Sequence, residues 1–235
     1  MRLGFSTLGC SGEPIERVLE LATTTGWSGV ELRAADDEPV NVALGHDERH
    51  ALRQRFVAGG VTPIAIASYI RIADRTVDDD DVVGALIDHV RLAADLGAAH
   101  VRVFPGSDST DPRRDDDIAV GRLRAVAASL GTVDDGVTIA VETHDSHPRG
   151  TDVARLLDRV DDPRIRAIWD VLHPWRTGES VDETVAALGD RLAYVQIKDV
   201  ASTDVLAPLP PGHGVLVDDA TDGAGRFPSR ATGFV

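Results

Sequence analysis

Seven short apolar, β-branched runs, separated by longer amphipathic stretches, restrict the folds open to this chain more than any other feature. They are LGFST (3–7), GVELR (29–33), TPIAIAS (62–68), HVRVF (100–104), VTIAVE (137–142), RAIWD (166–170) and AYVQIK (193–198). Between them, DDVVGALIDHVRLAADLG (80–97) carries Val83, Leu86, Ile87, Val90 and Ala94 at helical spacing. EPIERVLELATTTG (13–26) has Pro14 near its start and Gly26 after its end, the usual punctuation of a helix. Strand–helix alternation without hairpin signals predicts a parallel sheet, and no composition break marks a second domain.

Two architectures share this alternation, the doubly wound open sheet and the (β/α)8 TIM barrel. The open sheet usually follows its first strand with G-x-G-x-x-G, whereas this chain has LGCSGEPIE. Polar or ionisable residues instead stand near the strand ends: Ser6, Glu31, Arg33, Arg71, Arg102, Glu142, Asp170 and Lys198. A barrel gathers such ends round one mouth, so a (β/α)8 TIM barrel is predicted. Its eighth strand is missing or altered, because nothing after AYVQIK reads as a strand. Residues 1–200 make up the seven recognisable units, and 201–235 form an atypical tail of the same domain.

Composition narrows the function. The formal net charge of −15 disfavours a phosphate backbone as partner, so no nucleic acid is expected. The single cysteine, Cys10, rules out an internal disulfide and argues for a reducing compartment. Neither a signal-peptide core nor a membrane-length apolar run occurs, so a cytoplasmic protein without a membrane partner is expected. Lys198 is the one lysine among 24 basic residues. Its compact charge differs from the guanidinium fork used everywhere else.

Strand alternation places Ala140 with Glu142, Ile168 with Asp170, and Gln196 with Lys198. If those faces point inward, Glu142, Asp170, Gln196 and Lys198 converge at the mouth. Two carboxylates and an amide oxygen make a hard-oxygen site for Mn²⁺ or Mg²⁺, with Co²⁺ a further candidate. Asp170 and His173, in AIWDVLHPW (167–175), also have a plainer reading as a loop start followed by a non-helical His-Pro pair. Glu31 and Arg102 read equally well as a buried ion pair or as substrate contacts. His144 and His147, in ETHDSHP, read as solvated loop residues. The acidic runs at 78–81 and 115–117 suit the first turns of helices.

With GFSTLG and GVELR preceding them, the three strand ends AVETHDS, IWDVLHP and VQIKDV resemble the xylose isomerase-like TIM barrels. The resemblance spans about residues 3–200. It implies metal ligation by Glu142 and Asp170, with Gln196 standing where His is commoner. It implies a substrate contact from His173 and places Lys198–Asp199 on the Lys-Asp pair that follows strand seven. The implied activity is a metal-dependent sugar isomerase or epimerase, with Glu142 as base and Lys198 as its catalytic partner. The substrate is a small sugar or hydroxy-carbonyl compound, met by His173, Arg102 and Glu31. The first rival is an inosose-dehydratase-type lyase. The second is phosphodiester cleavage, which the acidic surface opposes, and the third is an inactive remnant.

The resemblance also implies a glutamate on strand eight, yet none occurs after Glu183. PPGHG (210–214) resembles the loop before the last unit, and the tail then departs from the pattern. A gap between strands one and seven is therefore expected, with self-association through exposed sheet edges and weak metal binding.

Overall fold

The computed structural model describes residues 2–109, 111, 113–133, 136–202, 204–205, 209 and 233–234. Eight parallel strands close a barrel in chain order: β1 (Arg2–Ser6), β2 (Gly29–Arg33), β3 (Thr62–Arg71), β4 (His100–Phe104), β5 (Thr138–Glu142), β6 (Ile165–Asp170), β7 (Leu192–Gln196) and β8 (Gly233–Phe234). The helices between them are α1 (Ile15–Thr25), α2 (His46–Gly59), α3 (Asp79–Leu96), α4 (Asp116–Val133), α5 (Gly150–Val160), α6 (Leu172–Arg176) and α7 (Val181–Leu188). Among the described residues, no helix is long and apolar enough to cross a membrane.

The eighth strand is altered rather than missing. Gly233 and Phe234 pair in parallel with Arg2 and Leu3 of β1, and Phe234 also pairs with Val195 of β7. The expected open gap is thus bridged over two residues, which corrects the premise of two free sheet edges. The PPGHG loop and the segment 215–232 lie outside the described residues.

Two apolar layers hold the barrel. The larger lies between strands and helices and includes Val30, Leu86, Val101, Leu123, Val141, Leu156 and Trp169. The smaller is inside, formed by Ala65, Ala140, Ile168, Ala193 and Tyr194, with Ile64 packed against it. Ile64 explains the glycines opposite: a Cβ on Gly4 or Gly29 would lie 2.6 Å from its Cδ1. Those strands give up side chains so that one isoleucine can plug the barrel.

Helix ends follow the sequence signals closely. Asp78 caps α3 by accepting from the Asp80 amide, and Asp79, Asp80 and Asp81 fill the positive first turn. Gly97 ends α3 in the left-handed conformation. Its buried stripe is centred on Val82, Leu86, Val90 and Ala93, so it is rotated from the predicted one and leaves Val83 and Ala94 partly buried. The His-Pro pair is likewise corrected: His173 and Pro174 lie within α6. Proline is tolerated there because first-turn amides have no intrahelical partner.

His100, at the start of β4, carries a stability prediction. Its ring packs 5.6 Å from that of Tyr194, and its Nδ1 lies 2.7 Å from Thr138 Oγ1. Burial, aided by the Arg166 charge, lowers its pKa to about 4. The unfolded chain takes up a proton near the ordinary value of 6.5, so the stability tied to neutral His100 is full above 6.5 and lost as pH falls towards 4. Denaturant unfolding should show the wild type losing about 3 kcal/mol more than His100→Gln over that range. Parallel pH profiles for the two proteins would dispose of this account.

Candidate active site

Inward phase brings Glu142, Asp170 and Gln196 to the same end of three adjacent strands, where Asp170 is the register partner of Gln196. Thr143 ties the first two strand ends together. Its Oγ1 accepts from the Asp170 amide at 3.0 Å and donates to the Asp170 carbonyl at 3.1 Å. Glu142 and Asp170 are both buried, so their charges must be balanced locally.

Each carboxylate has a cation beside it. Arg102 Nη1 donates to Glu142 Oε2 at 3.3 Å, while its Nη2 donates to the Ser68 carbonyl at 2.7 Å. The guanidinium carbon lies 4.2 Å from the centre of the Phe104 ring, which fixes its plane. Lys198 Nζ lies 2.5 Å from Asp170 Oδ2. The other Asp170 oxygen accepts from the Leu172 amide at 3.0 Å and starts α6, in line with the turn-starting reading of Asp170.

Burial pushes the Glu142 carboxyl up to about 7, against the pull of Arg102 and with help from the Asp170 charge. A carboxyl with that pKa is suited to giving and taking a proton near neutrality. Burial also holds His173 down, to about 4, despite nearby Asp170. Lys198 is opposed by burial, but the charge and hydrogen bond of Asp170 outweigh it and raise its pKa. The pocket therefore contains a weakly acidic carboxyl, a neutral imidazole and a firmly charged ammonium group.

His144 corrects the solvated-loop reading. Its ring lies 4.3 Å from that of His173 and 4.5 Å from that of Phe104. His147, read the same way, is fully buried, with Nε2 3.0 Å from Asp116 Oδ1. The two histidines exchange backbone hydrogen bonds across a tight turn in which Asp145 has φ of 33°. Asp145 accepts from the amides of Gly106 and Ser146; burial opposes its ionisation, yet these contacts and His144 bring it to about 2.

Glu31 and Gln196 sit beside this group rather than in it. Tyr194 Oη donates to Glu31 Oε2 at 2.6 Å, and Gln196 Nε2 donates to the same oxygen at 2.8 Å. The contact partner of Arg102 is Glu142, which replaces the Glu31–Arg102 ion pair considered from sequence. Arg33 is tied to Glu38 and Tyr69, and Arg71 to Asp74 and Asp108.

Ligand atoms of Glu142, His144 and His173 all lie within 4.8 Å of one another. His144 Nδ1 and His173 Nε2 are buried without a hydrogen-bond partner. Unsatisfied imidazole nitrogens facing a buried carboxylate fit a cation. A polar cleft of about 750 Å³ opens alongside, lined by Asp145, Ser146, Ser107, Arg113 and Arg149 among others.

Comparison with known proteins agrees with this architecture. The family model described as xylose isomerase-like TIM barrel matches residues 19–220. The probable 3-DHS dehydratase AsbF from Bacillus anthracis superposes with a TM-score of 0.79 at 16% identity, over 100% of this chain and 92% of that one. The IolI protein, crystallised with a zinc atom, gives 0.81 at 17% identity, over 100% and 88%. D-psicose 3-epimerase with D-tagatose from Clostridium cellulolyticum H10 gives 0.75 at 13%, over 100% and 84%. These are likenesses of fold. No curated protein matches the chain in sequence.

Proposed function

We propose, from the premise that the chain belongs to the xylose isomerase-like TIM barrel family, that it is a divalent-metal-assisted enzyme of small hydroxy-carbonyl compounds. It moves a proton at the carbon next to the carbonyl and so isomerises a sugar-like substrate. The observation that carries this reading is Glu142, a buried carboxyl at about 7 surrounded by Arg102, Lys198 and two imidazoles.

Each residue has a role that follows from its chemistry. Ionised Glu142 takes the proton from carbon. Charge then develops on the former carbonyl oxygen, and the Lys198 ammonium group is the donor placed to meet it. Arg102 holds Glu142 in place through a hydrogen bond and a stacked guanidinium group. His173, neutral at working pH, can give a proton to one oxygen and take one from another. A bound cation would add positive charge that polarises the carbonyl. Serine hydroxyls and arginines in the neighbouring cleft suit a hydroxylated substrate.

Return of the proton to the neighbouring carbon completes isomerisation. Dehydration is the second reading, in which protonated Glu142 passes the proton to a β-hydroxyl that leaves as water. Elimination needs an acid for the leaving oxygen, and the raised carboxyl of Glu142 favours it.

The test is incubation with Mn²⁺ and a panel of ketoses, aldoses and cyclic hydroxy-ketones in D2O. Deuterium should enter beside the carbonyl, and the product separates the two readings: an isomer for the first, an enone and water for the second. If no compound exchanges deuterium, with or without metal, the proposal fails.

A further inference from the structure

Asp145, in the loop after β5, stands in a backbone conformation that few residues other than glycine adopt. Among the described residues only two besides glycine have positive φ, Asp145 at 33° and Asp161 at 56°. Asp161 ends α5 in the left-handed form, an ordinary place for it. Asp145 ends no helix, so contacts must outweigh the cost of its backbone. Those contacts fall on one side-chain oxygen. Oδ1 accepts from the Gly106 amide at 2.9 Å and from the Ser146 amide at 2.5 Å, with Ser146 Oγ at 3.2 Å.

The second oxygen is left for His144. Asp145 Oδ2 lies 3.6 Å from His144 Nδ1, and that nitrogen is buried with no hydrogen-bond partner. The gap exceeds a good hydrogen bond by about 0.7 Å, which a small turn of the imidazole or the carboxylate closes. A neutral imidazole has one nitrogen that donates and one that accepts, whereas a carboxylate only accepts. Facing Asp145, the proton therefore belongs on Nδ1 and the lone pair on Nε2. The His144 side chain is 31% exposed although Nδ1 is buried, so the accessible part is the rest of the ring. That ring packs against those of His173 and Phe104, which limits its tilt.

We propose that Asp145 is a positioning residue, whose carboxylate fixes the tautomer of His144 and leaves an unprotonated Nε2 in the pocket. A lone pair held there takes a proton from a substrate hydroxyl while Glu142 works at carbon. The plainer role for Asp145 is a tie between loops, because Gly106 follows β4 and Ser146 follows β5. The two roles use different atoms: Oδ1 ties the loops, and Oδ2 orients the ring. The effect on turnover rests on the functional reading above, whereas the tautomer does not.

Asp145→Asn separates the two atoms. Its carbonyl keeps the Gly106 and Ser146 amides, while its Nδ2 puts a donor where Oδ2 stood and drives the His144 proton to Nε2. Long-range proton–nitrogen NMR spectra of the metal-free full chain at about pH 8, well above the ordinary histidine value, read the tautomer directly, with His144→Gln to assign the signal. The wild type should have the proton on Nδ1 and Asp145→Asn should have it on Nε2. Turnover of Asp145→Asn should fall about 10-fold to 100-fold, through kcat with KM little changed. Asp145→Gly, which accepts positive φ without strain, is the second variant should asparagine disturb folding, as judged by circular dichroism. It should keep the fold and show both tautomers. A wild type protonated on Nε2 would overturn the assignment, and so would Asp145→Asn with the tautomer and turnover of the wild type. The tautomer is read without substrate, so its failure and that of the proton-transfer reading are told apart.

Discussion

Glu142→Gln should lower turnover by about 10²-fold to 10⁴-fold, the range for removing a general acid–base group. The variant keeps the size of the side chain and an oxygen to accept from Arg102, so positioning is disturbed little. A second measurement separates this loss from simple damage. Glu142 has a folded-state pKa of about 7, raised by burial, against an ordinary value of 4.5. A carboxyl shifted in that direction binds its proton more tightly in the folded chain, so stability falls as pH rises from 4.5 through 7. In metal-free protein, the wild type should lose about 3 kcal/mol relative to Glu142→Gln across that window. Denaturant titrations at pH 5 and pH 8, with chelator present, give this difference directly. A residue retained for stability would behave in the opposite way. Undiminished turnover in the variant, or matching pH profiles, would remove Glu142 from its proposed role.

How far the sequence revealed this arrangement depends on where periodicity applies. Within strands it applies well: two-residue alternation places Glu142, Asp170 and Gln196 at one end of the barrel, and they are there. Tyr194 has the same phase as Gln196, but an aromatic in an apolar run reads as core, and its hydroxyl bond to Glu31 spans 163 residues. Past a strand end the rule lapses. The position of His144 depends on an unusual backbone angle at Asp145 and on His147 reaching Asp116, which local sequence does not encode. Gly233–Phe234 is too short to carry any pattern, so its pairing with β1 and β7 was invisible in the sequence. Helix α6 was hidden by a general rule about prolines, which the first turn of a helix escapes. The legible part is thus the scaffold and the residues fixed by strand phase, while loop-borne groups required the fold.

Lys198→Met should reduce turnover by about 10²-fold to 10³-fold, the cost of losing one donor to a developing oxyanion. Methionine keeps much of the aliphatic stem and removes the charge, so packing along the stem survives. Arginine should not rescue it, because a fork cannot occupy the position of a compact ammonium group set against one carboxylate oxygen. The ion pair complicates the result, since removing Lys198 leaves Asp170 as a buried charge without its partner. Asp170→Asn in the Lys198→Met background resolves this: stability should recover, because the uncompensated charge is gone, while turnover stays low. If turnover recovers together with stability, Lys198 serves only as a counter-ion, and its role at the substrate oxygen is refuted. Metal binding gives an independent check within the same variants. Lys198→Met removes the competing cation from Asp170 Oδ2 and should leave Co²⁺ affinity unchanged or raise it. A turnover loss accompanied by equal loss of Co²⁺ affinity would instead mean that the lysine supports the centre rather than the reaction. Because the two quantities are predicted to move in different directions, one protein preparation decides between the roles.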